Sequence, residues 1–266
     1  MNRLRKYVYI YKSELMSTLQ YIFNILFDML GYVILIFIFF NLWNYIYDDP
    51  SQLINGYSKN QMIWYVILTE IIWGATKGRR FCKKICDDVK CGNIAYQMNK
   101  PYSYISYVLA SHLGETTIKT VISVIVGIVL GIIFLGKFPS MPAIGIVIVL
   151  ISSILAVVIN SLFTIFIGLF SFIIEDAMPL YWVYSKLILI LGTIFPVEFF
   201  PGALGQIIRV SPIYVTCYGP AKLFVDFSYE KAVKILIAQL IYIVIAGVMC
   251  YTLYGKGVKK LNVNGG

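Results

Sequence analysis

The 266-residue chain is short of charge, nearly without histidine and empty of catalytic signatures. Charged residues make up 13% of it, against about 25% in soluble domains. Too few charges remain to coat a water-facing surface, which excludes an ordinary soluble globule. The one histidine, His112, leaves no H-E-x-x-H zinc motif, and no G-x-S-x-G nucleophile elbow occurs. Glu175 and Asp176 are adjacent but belong to a short turn, where solvated acids are expected. Five cysteines (Cys82, Cys86, Cys91, Cys217, Cys250) build no disulfide framework. Three of them follow C-x3-C-x4-C spacing, without the C-x2-C pairing typical of zinc sites, so reduced cytosolic thiols are expected. A phosphate loop is missing as well. Gly131 to Lys137 fits G-x4-G-K, yet Phe138 follows instead of Ser or Thr, at the end of an apolar run. No nucleophile, base and metal come together, so neither an enzymatic activity nor a cofactor held by this chain is expected.

Long hydrophobic runs are what the chain does have. It is 59% hydrophobic and 16% aromatic, with a mean hydropathy of +0.80. A helix needs about 20 apolar residues to cross the hydrocarbon, and a lipid-embedded backbone must satisfy its own hydrogen bonds. The runs are continuous rather than alternating, so they predict an all-α integral membrane protein. Six spans are placed at about 25–46, 61–76, 116–136, 143–173, 180–199 and 233–254. The second is short for a bilayer. Residues 1–266 read as one transmembrane domain, and no cleavable signal is evident at the basic N-terminus. The formal charge of +9 follows the positive-inside rule rather than marking a nucleic-acid partner. With both termini inside, the inner segments hold fourteen Lys and Arg against six outside.

Three segments differ from plain spans and links. In residues 2–22, Leu4, Val8, Tyr11, Leu15, Thr18/Leu19 and Ile22 recur at helical steps, with Arg3, Arg5, Lys6 and Lys12 mostly off the stripe. This predicts a helix lying in the lipid headgroup plane, or a plain extension of the first span. The inner loop 77–100 contains KGRRFCKKICDDVKC, where Phe81, Ile85 and Val89 form an apolar ridge flanked by Arg80 and Lys84. Gly92 is expected to stop that helix, and Lys100-Pro101 to open the next. Such a ridge suits either docking into a groove on a cytosolic partner or resting on anionic lipid. The outer stretch 196–220 holds Pro196, Pro201, Pro212 and Pro220 among apolar residues. It is too apolar for a solvated loop and too broken for a span, which predicts a re-entrant hairpin.

Ionisable groups at membrane depth are costly and point to a pathway or a partner. Glu70 and Lys186 are the deepest candidates, with Asp28, Glu115, Lys119 and Glu198 nearer span ends. Asn160 could line a conduit or bridge helices. Gly127 and Gly131 form a G-x-x-x-G step that permits close helix packing, within the chain or between copies.

The arrangement resembles the permease subunits of ATP-binding-cassette (ABC) transporters, of the type-2 exporter family. The resemblance rests on the N-terminal amphipathic helix, six spans, the basic loop after the second and the broken outer segment before the sixth. At residue level it rests on Gly92-Asn93-Ile94-Ala95 through Asn99-Lys100-Pro101, and on Phe195-Pro196 with Phe199-Phe200-Pro201. It implies a permease half that pairs with a second permease, identical or paralogous, in the bacterial plasma membrane. Separate cytosolic ATPase subunits would carry the ATP and Mg, and the helix around Phe81–Val89 would be the coupling helix that docks them. Substrate would pass between the halves beneath the outer segment around Pro196, Glu198 and Pro201. A secondary transporter or channel not coupled to ATP is the other reading.

Overall fold

A computed structural model describes residues 4–49 and 51–264. Arg3, counted above among the inner cations, lies outside the described residues. Helix α1 (Arg5–Gln20) ends at Tyr21, whose backbone leaves the helical region, and α2 (Ile22–Ile46) starts anew. The N-terminal segment is therefore a separate helix, not an extension of the first span. It runs along α6 (Tyr104–Leu135), where Tyr7 Oη accepts from the Ser103 amide at 3.0 Å and Tyr11 donates to Thr117 at 3.0 Å. Lys6 also donates to the Pro101 carbonyl. The side facing α6 carries Tyr7, Tyr11, Leu15 and Thr18, while Leu4, Val8 and Leu19 of the expected stripe are exposed.

Between α2 and α3 (Lys59–Ala75) the chain turns through Asn55-Gly56, both with positive φ, closing an Ile54–Tyr57 bridge. Ser58 and Gln61 then cap α3 reciprocally, each side chain taking the other's backbone amide, which satisfies two orphan donors. Almost all of α3 is buried. It is the central post on which α2, α6 and the later helices pack, and its aromatic residues fill the main core with Trp43, Tyr47 and Tyr57.

Helix α4 (Arg79–Lys90) ends at Gly92 in the left-handed conformation, as its position predicts. Short α5 (Asn93–Met98) follows. Lys100-Pro101 does not open the next helix: α6 begins at Tyr104, and Lys100 and Pro101 lie in the turn before it. Helix α7 (Ala143–Leu169) continues as a tighter turn through Phe172.

Helix α8 (Met178–Ile188) widens into a π turn at Leu189–Ile194 and stops before Pro196. A short 3-10 turn leads to α9 (Gly202–Arg209); a second π turn, Tyr214–Tyr218, runs into α10 (Gly219–Val225). The two π turns meet at Gly192, where a Cβ would strike Ile213 and Cys217. Helix α11 (Tyr229–Asn264) closes the fold. Its Gln239 amide donates to the carbonyls of Ser152 and Val215, at 2.9 Å each, tying α7, α11 and the broken segment together. Tyr242, 13 residues beyond Tyr229 and so about 20 Å along α11, donates to the Val210 carbonyl. The turn at Val210, between α9 and the second π turn, thus lies beside α11 at that level.

Among the described residues four helices are long and apolar enough to cross a membrane: Ile22–Ile46, Tyr104–Leu135, Ala143–Phe172 and Tyr229–Lys259. Lys59–Ala75 and Met178–Ile194 are 17 residues each, about 25 Å at 1.5 Å per residue, short of a 30 Å core. The chain is an all-α, multi-pass membrane protein.

Candidate functional site: a basic helix and a polar layer between helices

Helix α4 divides cleanly into two faces. Phe81, Ile85 and Val89 are buried, with Cys82 and Cys86 beside them. They pack with Ile94, Tyr104, Val108, Leu162, Ile165 and Leu169 from α5, α6 and α7. The ridge expected to enter a partner is therefore turned into the chain's own core. The physical reason is that an amphipathic pattern demands cover for its apolar side without naming the cover, and here α6 and α7 lie close enough to supply it. A Cβ at Gly168 would strike Ile85, so a glycine on α7 admits the ridge. Asp88 accepts a 2.8 Å hydrogen bond from Tyr104, fixing the helix to the base of α6.

The opposite face is exposed and mostly basic: Arg79, Arg80, Lys83, Lys84 and Lys90, with Asp87. Arg79 lies over the Trp182 ring at 5.4 Å and Lys84 over Tyr107 at 5.9 Å. The Lys90–Asp176 pair, at 3.9 Å and half exposed, contributes little. Cys82 and Cys86 share a thiol hydrogen bond that holds Cys86 low and pushes Cys82 up. Among the described residues no cluster of His, Cys, Asp and Glu could hold a metal.

The intramembrane candidates separate. Glu70 is buried on α3, and its Oε1 makes no hydrogen bond among the described residues. On one side of it Tyr32 of α2 donates to the Ile67 carbonyl; on the other Thr69 donates to the carbonyl of Thr193. Glu70 follows Thr69 by 100° of helical turn and points between these neighbours. Lys186 on α8 and Asp28 on α2 are exposed. Asn160 is a bridge: its amide donates to Thr76 at 2.8 Å and accepts from Tyr184 at 2.7 Å, joining α7 to α3 and α8. Gly127 and Gly131 are spent within the chain, admitting Tyr32, Ile71 and the Trp64 ring.

At the opposite end Glu198 accepts from Tyr57 at 3.0 Å and Tyr218 at 2.5 Å. Lys222 donates to Tyr57 at 2.9 Å and lies 3.5 Å from Glu198 and 3.2 Å from Asp226. Burial, reinforced by Tyr218 and Glu198, pushes the Tyr57 phenol far up, so it stays a donor. Burial resists ionisation of Asp226, yet hydrogen bonds from Lys231 and Lys222 hold it below the usual carboxylate range. Pro196 is buried beneath this cluster and Pro201, which precedes α9, is exposed. Nothing in the sequence pointed to Tyr57, Tyr218 and Lys222 as partners of Glu198: Tyr57 is 141 residues away, and the broken segment carries no periodicity that would aim Tyr218 or Lys222 at it.

The fold is that of a multi-pass helical membrane protein, broken near Pro196 and with a basic helix seated at one end. The sequence matches the family described as ABC-2 family transporter protein over residues 30–265. The chain belongs to that family and is an ABC-2 type permease. No curated protein matches it.

Proposed function

We propose that this permease is one half of an ABC exporter of the bacterial plasma membrane, paired with a second permease and driven by separate cytosolic ATPase subunits that bind ATP and Mg. The outward face of α4 carries the reading. A short helix anchored by Phe81, Ile85 and Val89 moves as one body with α6 and α7, so a push on Arg80 and Lys84 reaches the spans. Rigid seating is what a coupling helix requires, since a loosely tethered one would absorb the stroke. The basic face suits an acidic groove on the ATPase, and charge complementarity favours fast, oriented docking.

Six crossings with both termini cytoplasmic put α4 on the basic, inner side. Helices α3 and α8, short for the bilayer, cross beside the broken α9–α10 segment, whose tip at Val210 reaches mid-depth along α11. That depth supports a re-entrant outer hairpin, with Pro196, Glu198 and Pro201 at its root. Glu70 and Lys186 lie where a charge facing lipid would cost at least about 2.5–3.5 kcal/mol. They fit a conduit or permease–permease seam beside α3 better than a lipid-facing wall. Apolar, aromatic-rich spans suit amphipathic cargo.

The test is co-expression with the ATPase. Arg80→Glu with Lys84→Glu should lose ATPase co-purification and ATP-driven transport while the permease remains in the membrane. Full ATPase retention in that double variant, or transport sustained by an ion gradient without nucleotide, would overturn the reading.

A further inference from the structure

Helices α6 and α7 splay apart and leave an apolar slot of about 560 Å³ backed by α3. Its back wall is Trp64, Ile67, Leu68 and Ile71 of the post helix. Both ends are stoppered. At the inner end Tyr11 of α1 bonds to Thr117 across the opening. At the outer end Trp64, Phe138 and Phe224 make a three-ring plug, with every pair of centroids 5.4 to 5.5 Å apart and edge to face. The slot therefore opens sideways, past half-exposed Val121 on α6 and Leu150 on α7. Those are membrane-spanning helices, so the opening faces the bilayer and not water.

The dimensions select the occupant. From Leu113 to Ile128 on α6 the slot runs about 22 Å, and from Ile146 to Val158 on α7 about 18 Å, at 1.5 Å per residue. A volume of about 560 Å³ drawn out over that length is the shape of one extended chain rather than of a compact ligand. Half of a hydrocarbon core, the depth that one leaflet's chains fill, is about 15 Å, so one extended chain lies within the slot. The lining hydroxyls give a ligand little to bond. Thr116, Thr117 and Thr120 donate to the carbonyls of His112, Leu113 and Thr116, which leaves the single hydroxyl of Ser153 on an otherwise apolar wall. A polar ligand entering would lose its water without replacement.

Charge picks the end. Helix α1, whose Tyr11 stops the inner end, carries Arg5, Lys6 and Lys12 against Glu14 among its described residues. An anionic headgroup leaving the inner end of the slot meets these cations, a few carbons from its own chain.

We propose that the α3–α6–α7 slot is a binding site for one acyl chain of an anionic phospholipid from the inner leaflet, held by α1. The site lies across α3 from Glu70 and is separate from any conduit there. A bound chain would wedge α6 from α7 and couple the lipid to the helices that seat α4.

The experiment uses the full chain, reconstituted in vesicles of equal parts phosphatidylglycerol and phosphatidylcholine with chains of distinct mass. After gentle release into detergent, native mass spectrometry should find one phosphatidylglycerol retained per permease chain. Ser153→Trp, which fills the slot, and Val121→Trp, which blocks its exposed mouth without touching the core, should each cut retention by about tenfold or more. Ile245→Trp, on the exposed face of α11, should retain the lipid. Lys12→Glu should erase the preference for phosphatidylglycerol. Equal retention in Val121→Trp and the unaltered chain, or equal retention of both lipids by the unaltered chain, overturns the proposal. Unchanged melting temperatures for Val121→Trp separate loss of lipid from loss of fold.

Discussion

The Phe81 ring lies flat on the His112 imidazole, with centroids 3.9 Å apart and planes 9° from parallel. Both residues are buried. The contact joins the helix proposed to receive the ATPase to the base of α6. Removing it should therefore be felt first as stability. Phe81→Ala is expected to cost about 3–5 kcal/mol, as large core truncations do, and to lower the melting temperature of the permease purified alone. Lys84→Glu, on the exposed face, should stay within about 0.5 kcal/mol yet weaken ATPase co-purification. A stable Phe81→Ala variant would mean that the ridge does not anchor α4.

Thiol labelling reads the same helix. Cys82 and Cys86 are buried and Cys91 is exposed. A membrane-impermeant maleimide should modify Cys91 in opened cells and not in sealed ones, while Cys82 and Cys86 stay silent until the protein is denatured. Modification of Cys91 in sealed cells would invert the topology.

Glycine spacing gives a paired expectation on one helix bundle. A Cβ at Gly131 would run into the Trp64 ring, whereas at Gly74 nothing lies within 4 Å. Gly131→Ala is expected to cost about 1–3 kcal/mol through overpacking. Gly74→Ala should be neutral or stabilising by up to about 1 kcal/mol, because alanine is the better helix former. Thermal unfolding of the two variants in one detergent measures the difference.

The cluster around Lys222 makes a pH expectation. Asp226 is held below its ordinary value of 3.8 by Lys231 and Lys222, against burial. A carboxylate whose folded pKa is depressed adds stability above its unfolded pKa and loses it as pH falls through the folded one. The melting-temperature gap between the unaltered chain and Asp226→Asn should hold at neutral pH and close below 3.8. A gap that persists in stronger acid would show that Asp226 acts through packing instead.

Much of this was legible in one dimension. Continuous apolar runs left helices as the only spanning structure, because lipid offers the backbone no hydrogen bonds. The placement of the four long apolar helices followed from length and hydropathy, and the helix stop at Gly92 from its freedom at positive φ. The break after Phe195 followed from clustered prolines, which cannot continue a helix.

Tertiary structure decided which face met which. The pattern of α4 showed that Phe81, Ile85 and Val89 needed cover, and only packing revealed that α6 and α7 provide it, leaving Arg80 and Lys84 outward. Asn160 and Lys186 looked alike as polar residues at depth, yet one is satisfied by Thr76 and Tyr184 and the other is exposed. Glu198 gained Tyr57 from a segment 141 residues away and Tyr218 from the far end of its own broken stretch. Local sequence fixes conformation through sterics and hydrogen bonding along the chain, whereas partners across the bundle depend on helix rotation and on the small residues that let backbones approach. Periodicity reports neither of these, and so the slot between α6 and α7 could be seen only once the helices were assembled.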